Sequence, residues 1–327
     1  MSDVDDDAGV DLPDYRPGAV AVLKDEERWP QLDGDARRRL EGVMQHEHAP
    51  VWRHRAGHRL APSQIERARR PLPLDGWLDR HLAVARDLPA YASWPGRLDT
   101  LEDFPLISRD DLFADISAFV PRDADLDRLV QGSSSGTTGH ALRIPDDVED
   151  VARTFWTTHR LIESLGVTWT PDPGRLALAL VVQQHQAFTY ASVVPGFGGA
   201  VMARLNLDQR EWPTGGPASF LEGQNPQLIS GSPASLAALL SPELVEVVHP
   251  LALVSGAAHL STPLRRNLEE AFGCPVIDVF GLHETRPIAA STDGGPFRLL
   301  DLPVHVEILD AAGDPVPGGE RGEIVVT

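Results

Sequence analysis

The 327-residue chain holds a single cysteine, Cys274, and a single lysine, Lys24. One cysteine excludes an internal disulfide framework and a cysteine-liganded zinc site, and a reducing cytoplasm fits best. One lysine excludes a Schiff-base or phosphate-holding lysine anywhere past residue 24, because 28 of the 29 basic residues are arginine. No run of apolar residues is long enough to span a bilayer. The acidic start Met1-Ser-Asp-Val-Asp5 has the wrong charge for a secretory leader. A formal net charge of −19 argues against nucleic acid as a partner, since phosphate backbones reward basic surfaces. What is present, 42% hydrophobic and 24% charged residues, suits a globular chain with a large core, built as one big domain or two smaller ones.

Residues 1–18 carry six aspartates and two prolines with few apolar groups and read as a disordered acidic tail. A helical segment spans 19–87, with helices expected over 35–47, 63–70 and 75–86. His54 and His58 have the i, i+4 spacing of helical metal ligands, but their arginine-rich, polar surroundings read more simply as solvated surface. Ser108 with Asp111 makes a capping-box start for a short helix through Phe113. Asp146 and Glu149 make a similar start for a long helix over 147–164, with Val148, Ala152, Phe155, His159 and Ile162 near helical spacing.

Residues 176–182 (Leu-Ala-Leu-Ala-Leu-Val-Val) are a continuous apolar run of strand length, as in a buried parallel strand. The polar and aromatic stretch 183–190 follows it. Ligands of open α/β sheets sit beyond the carboxyl ends of strands, so this stretch is a pocket candidate. Further strands are expected at 227–230, 251–255 and 275–280. Helices near 233–247 and 262–272 separate them, the second with Ser261 or Thr262 as cap, Pro263 in its first turn and Gly273 past its end. The alternation predicts an α/β fold with a mainly parallel sheet, helices on both faces, and a core over 88–300. Residues 301–327 change character. Val304–Leu309 and Gly322–Thr327 flank a Gly/Pro-rich turn and read as antiparallel strands. The chain stops on a strand, which leads us to expect further protein, or a partner, at this end.

Three features carry chemistry. Gln131-Gly-Ser-Ser-Ser-Gly-Thr-Thr-Gly-His140 is a hydroxyl- and glycine-rich loop able to converge hydroxyls and backbone N–H groups on an anion. It lacks the Gly-Lys-Ser/Thr of a Walker A loop, and a flexible linker is its bland reading. Ser255-Gly-Ala-Ala258 ends one strand with small residues that let a flat ring approach the backbone. Asp278-Val-Phe-Gly-Leu-His-Glu284 ends the next with an aromatic face, a glycine and a carboxylate. Here Phe280 could stack on a base, Asp278 could accept from an exocyclic amine, and Glu284 could bind Mg²⁺ beside phosphates.

With these pieces the chain resembles the acyl-adenylate-forming superfamily of acyl-CoA ligases, peptide-synthetase adenylation domains and luciferases, and within it the phenylacetate–CoA ligases. Ser134-Ser-Gly-Thr-Thr-Gly139 and Phe280-Gly-Leu-His-Glu284 are the specific matches. Leu88–Tyr91, Leu101–Ser108, Gly231–Ser235, Gly256–Ala258 and Pro317–Thr327 support them. The resemblance implies a large N-terminal domain of α/β subdomains with the start of a small β-barrel subdomain. It implies activation of an aryl or medium-sized apolar carboxylic acid by ATP and Mg²⁺, with capture by coenzyme A or a carrier-protein thiol. Ser134, Ser135, Gly136, Thr137, Thr138 and Gly139 would hold phosphates. Gly256, Ala257, Ala258, Asp278, Phe280 and Gly281 would frame adenine. His185, Phe188, Tyr190 and Gly231 would line the carboxylate pocket. Glu284, as the Mg²⁺ ligand, His283 and Thr138 are the expected catalytic positions.

The chain also departs from that pattern. The loop continues Gly139-His-Ala where the family has Gly-Lys-Pro, and His283 stands where threonine or serine is usual. The ribose-gripping aspartate and the mobile domain with the adenylation lysine are expected beyond Thr327. Two alternatives follow: a catalytically impaired accessory domain that binds a nucleotide, an acyl group or a partner protein, and an acyl-protein synthetase.

Overall fold

The structure is a computed structural model and describes residues 23–126, 129–133, 142–185, 187–213 and 216–327. The acidic tail and the Ser134–Gly139 loop lie outside the described residues.

In chain order, the first helices are α1 (Asp25–Arg28), α2 (Gly34–Met44), α3 (Pro62–Arg69), α4 (Trp77–Arg86) and α5 (Arg109–Ala114). Then come strands β1 (Leu129–Ser133) and β2 (Arg143–Asp147), which form a two-stranded sheet, and the long helix α6 (Val148–Ser164). Strands β3 (Leu178–Val182), β4 (Tyr190–Val193) and β5 (Val201–Asn206) lead to α7 (Gly216–Gln224). Next are β6 (Leu228–Gly231), α8 (Pro233–Ala238), α9 (Pro242–Val247), β7 (Ala252–Ser255), α10 (Thr262–Phe272), β8 (Val276–Leu282), β9 (Arg286–Ser291) and β10 (Arg298–Leu299). The last strands, β11 (Val306–Leu309) and β12 (Glu323–Val326), pair antiparallel with Ile308 opposite Ile324.

The main sheet has eight strands in the order β10-β9-β8-β7-β6-β3-β5-β4. Strands β8, β7, β6, β3 and β5 run parallel to one another, and β4 joins β5 antiparallel. This is a mixed α/β architecture with a mainly parallel main sheet, as the strand and helix alternation predicts. Alternation along the strands sends Ala179, Val181, Ala203, Leu205, Ile229 and Leu253 into one core with Trp29, Leu40, Phe220, Leu236 and Leu268. Each such fully buried aliphatic side chain stabilises the fold by about 1.5–3 kcal/mol.

The helix punctuation behaves as its chemistry dictates. Ser108 accepts from Asp111 N while the Asp111 carboxylate accepts from Ser108 N, so the capping box is closed. Ser261 caps α10, and Gly273 ends it at φ +62°. Helix α6 buries Val148, Ala152, Trp156, His159 and Ile162 on one face. Its cap, however, is Asp147, whose carboxylate accepts from Glu149 N, and not the expected Asp146. Pro242 lacks a backbone N–H and splits the expected 233–247 helix into α8 and α9. Strands β4 and β5 were not anticipated. The polar residues Ser192, Arg204 and Asn206 break the apolar runs that mark buried strands.

Contacts divide the chain into two units. One comprises residues 1–70, 147–281 and 289–298, and the other 71–146, 282–288 and 299–327.

Candidate functional site

In the first unit, the carboxyl ends of β6, β7 and β8 come together in register: Gly231 lies opposite Ser255, and Ser255 opposite Asp278. Glycine is required at 231, where a Cβ would come within 2.8 Å of Val181 O and 2.9 Å of Val181 Cγ2. Gly256 N donates to Gly231 O at 3.2 Å and ties the two strand ends. Ala257 then turns through φ +66°, in the left-handed region that a side chain disfavours. Ser255 is completely buried, and its hydroxyl has no hydrogen-bond partner among the described residues. The neighbouring Asp278 is 5% exposed. Ala257 and Ala258 lie open to solvent. Phe280 is half-buried and packs edge-on against Phe297 at 6.1 Å between centroids. The structure thus brings together Gly231, Gly256, Ala257, Ala258, Asp278, Phe280 and Gly281. Ser255 was missed by sequence reasoning, because a buried serine without a partner cannot be told from a satisfied one in sequence.

Beyond β3, Asn206 pins the polar stretch by accepting from Gln184 N at 3.1 Å and donating to Gln184 O at 2.8 Å. His185 follows, exposed. Thr189 O accepts from both Arg53 N and His54 N, which carries the 51–54 segment onto this end of the sheet. Phe188 and Tyr190 stack with their rings 11° apart, and His54 meets both edge-on at about 6 Å. The Arg204 guanidinium, opposite Tyr190 on β5, lies 3.7 Å from the Phe188 centroid. Burial lowers the Arg204 pKa and raises that of the Tyr190 hydroxyl. The expected pocket residues Phe188 and Tyr190 are therefore adjacent, and the arginine among them was missed. A charged residue inside the strand pattern Val-Met-Ala-Arg-Leu-Asn was the available signal.

His54 and His58 are neither helical nor solvated. Both are half-buried in an irregular segment, and desolvation drives each down to about 4. Arg28 and Arg204 add to the effect at His54. His58 Nδ1 accepts from Leu60 N. No group of three or more His, Cys, Asp or Glu side chains suited to a metal occurs among the described residues.

In the second unit, the buried Asp146 carboxylate holds two side chains that follow β8. His283 Nε2 lies 3.2 Å from Asp146 Oδ2, and the Arg286 guanidinium abuts Oδ1. Arg286 takes φ +66°. Glu284, between them in sequence, is exposed. Ser134, Ser135, Gly136, Thr137, Thr138 and Gly139, the expected phosphate loop, lie outside the described residues.

A family model described as AMP-binding enzyme matches residues 134–327. Among curated proteins, none matches the chain. Solved structures similar to it include a 2-hydroxyisobutyryl-CoA ligase in complex with 2-HIB-AMP and CoA, at 18% identity and TM-score 0.49, over 77% of this chain and 64% of that one. An anthranilate CoA ligase in complex with anthranoyl-AMP is similar at 20% identity and TM-score 0.42, over 60% and 38%. A benzoate CoA ligase from Burkholderia xenovorans LB400 is similar at 19% identity and TM-score 0.41, over 63% and 41%. The chain spans less than two thirds of the length of each.

Proposed function

The chain belongs to the AMP-binding enzyme family, within the acyl-adenylate-forming superfamily, and from that premise we propose that it activates a carboxylic acid as its acyl-adenylate. In this reaction a carboxylate oxygen attacks the α-phosphorus of ATP and pyrophosphate leaves. A thiol, of coenzyme A or a carrier protein, then takes the acyl group and AMP departs. Positioning and charge neutralisation supply most of the catalysis in such a displacement. The acid is aryl or medium-sized, in keeping with Phe188 and Tyr190.

The observation that carries this reading is the orphaned Ser255 hydroxyl beside buried Asp278 at the ends of β7 and β8. An unsatisfied buried hydroxyl costs about 1–3 kcal/mol. A purine edge offers both a donor and an acceptor to such a pair, and Phe280 supplies a ring for it to stack on. Small residues at 256–258 leave room for that ring. Thr138 and the other loop residues would cradle the phosphates, and His283 would stand beside them. Glu284, an exposed carboxylate just after β8, would hold Mg²⁺, which would neutralise phosphate charge there.

A second reading, a nucleotide-binding accessory domain, is favoured by one observation. His283, where the resemblance implies threonine or serine, is held by the buried Asp146 carboxylate at 3.2 Å.

Calorimetric titration of AMP and of Mg·ATP into the chain tests the proposal. Micromolar binding is expected, weakened at least tenfold for Mg·ATP by Glu284→Gln with an unchanged melting temperature. Absence of binding by either nucleotide rejects the adenylate site. Binding without carboxylate-dependent pyrophosphate exchange selects the accessory reading.

A further inference from the structure

A cavity lies against the β4 edge of the main sheet, away from the proposed nucleotide site. Strand β4 is outermost on its side of the sheet. Val193 pairs with Val201, the first residue of β5, so this end of β4 lies at the amino ends of the parallel strands. Gly231, Ser255 and Asp278 lie at the carboxyl ends. The cavity holds about 230 Å³, and an apolar cavity of about 150 Å³ is already large enough to take up benzene. Its walls are Trp29, Ala36, Ile65, Val193 and Val194, each less than a tenth exposed. Trp29 is held by Nε1, which donates to Ser192 Oγ at 3.0 Å. The turn at 196–199 closes tightly on α2 and α3. A Cβ at Gly196 would lie 2.5 Å from Ile65 Cγ2, and one at Gly199 would lie 2.7 Å from Ala36 Cβ. The cavity is thus framed by packed elements and is preformed.

Charge around the rim is already answered. Asp33 Oδ1 accepts from Ala36 N, and Glu66 Oε1 accepts from Arg69 Nη1. Arg39 donates to the carbonyls of Gly198 and Gly199. Two acids and two arginines leave no excess of either sign. The polar side chain left over among the apolar walls is His58, which lines the cavity and is half-buried. Its Nδ1 accepts from Leu60 N at 3.0 Å. The ring is neutral, because burial lowers its pKa to about 4. A neutral imidazole that accepts at Nδ1 carries its proton on Nε2. That N–H has no partner among the described residues. One fixed donor in apolar walls calls for a ligand with one acceptor and an apolar body. Water would answer the donor but not the walls, and replacing poorly ordered water with an apolar group gains affinity.

We propose that this cavity binds a small uncharged carbonyl compound with an apolar body, its oxygen accepting from His58 Nε2. The probes are acetophenone and α-methylstyrene, in which a methylene group replaces the carbonyl oxygen at nearly the same size. Each is titrated by NMR into the ¹⁵N-histidine-labelled wild-type chain, His58→Phe and His58→Gln. Acetophenone is expected to bind the wild type at least threefold tighter. His58→Phe should remove that preference. His58→Gln, whose amide can accept from Leu60 N and still donate, should keep part of it. In the wild type, the Nε2–H resonance that His58→Gln removes should shift with acetophenone and stay in place with α-methylstyrene. Equal affinity of the two probes for the wild type, a preference that survives His58→Phe, or no binding of either probe overturns the inference. If His58→Phe fails to fold, the His58 resonance decides. Titration of AMP reports separately on the nucleotide site, so failure of one reading is distinguishable from failure of the other.

Discussion

Ala257 is the residue where local strain and the proposed site coincide. Its φ of +66° places a methyl group in the left-handed region, at a cost of about 1–2 kcal/mol. Glycine would relieve that cost but add unfolded-state entropy, about 0.4–1 kcal/mol in the other direction. We therefore expect Ala257→Gly to raise stability by about 0.5 kcal/mol net, read as a higher denaturant midpoint with unchanged slope. A lower midpoint would mean that the turn is not held in this conformation. Strained backbone is often kept where a ligand needs a preformed surface, so the same variant should bind AMP more weakly. At this scale the sequence reveals part of the site. Asp278, Phe280 and the small residues after Ser255 declare themselves by type and order. Ser255 does not, since its significance lies in a missing partner.

At the scale of elements, the turn that joins β8 to β9 is organised by Asp146, which lies 137 residues from His283 in sequence. Asp146 reads in sequence as a helix cap because it precedes α6, but the adjacent Asp147 performs that job. The carboxylate is thus released to hold His283 and Arg286, and Arg286 itself sits at positive φ. Hydrogen bonds to charged groups contribute about 1.5–3 kcal/mol, so Asp146→Asn should destabilise by roughly that amount. A double-mutant cycle of Asp146→Asn with Arg286→Gln should show non-additivity of about 0.5–3 kcal/mol. Strict additivity would show that the contact carries no energy. Elements whose ends are set by neighbouring residues were legible: Ser108–Asp111 closes its capping box, and Ser261, Pro263 and Gly273 bound α10 as expected. Strands β4 and β5 were not, because burial on one face only lets polar side chains interrupt their patterns. Pairings between distant segments leave no trace in a single sequence.

For the whole molecule, the desolvated histidines set a direction for acid stability. His54 and His58 both have their pKa lowered from 6.5 to about 4 by burial. The unfolded chain therefore takes up protons on these rings before the folded one does. Their contribution is intact above pH 6.5, falls as pH drops from 6.5 toward 4, and levels off below. Each ring accounts for at most about 3 kcal/mol of this loss. Asp208, held down to about 2 chiefly by its hydrogen bond from Arg210, extends the loss in the same sense toward lower pH. A competing effect comes from the net charge of −19, since protonation relieves repulsion among carboxylates. That effect is long-ranged and is screened within about 8 Å at physiological salt, whereas the buried rings are shielded from ions. Urea unfolding in 0.5 M salt should therefore lose stability steadily between pH 6.5 and 4.5. The double variant His54→Phe, His58→Gln should flatten the slope over that interval, with glutamine at 58 able to accept from Leu60 N in place of the imidazole. An identical slope in the variant would show that the two rings are hydrated in the folded chain, and the packing of the 51–60 segment against Phe188 and Tyr190 would then be wrong.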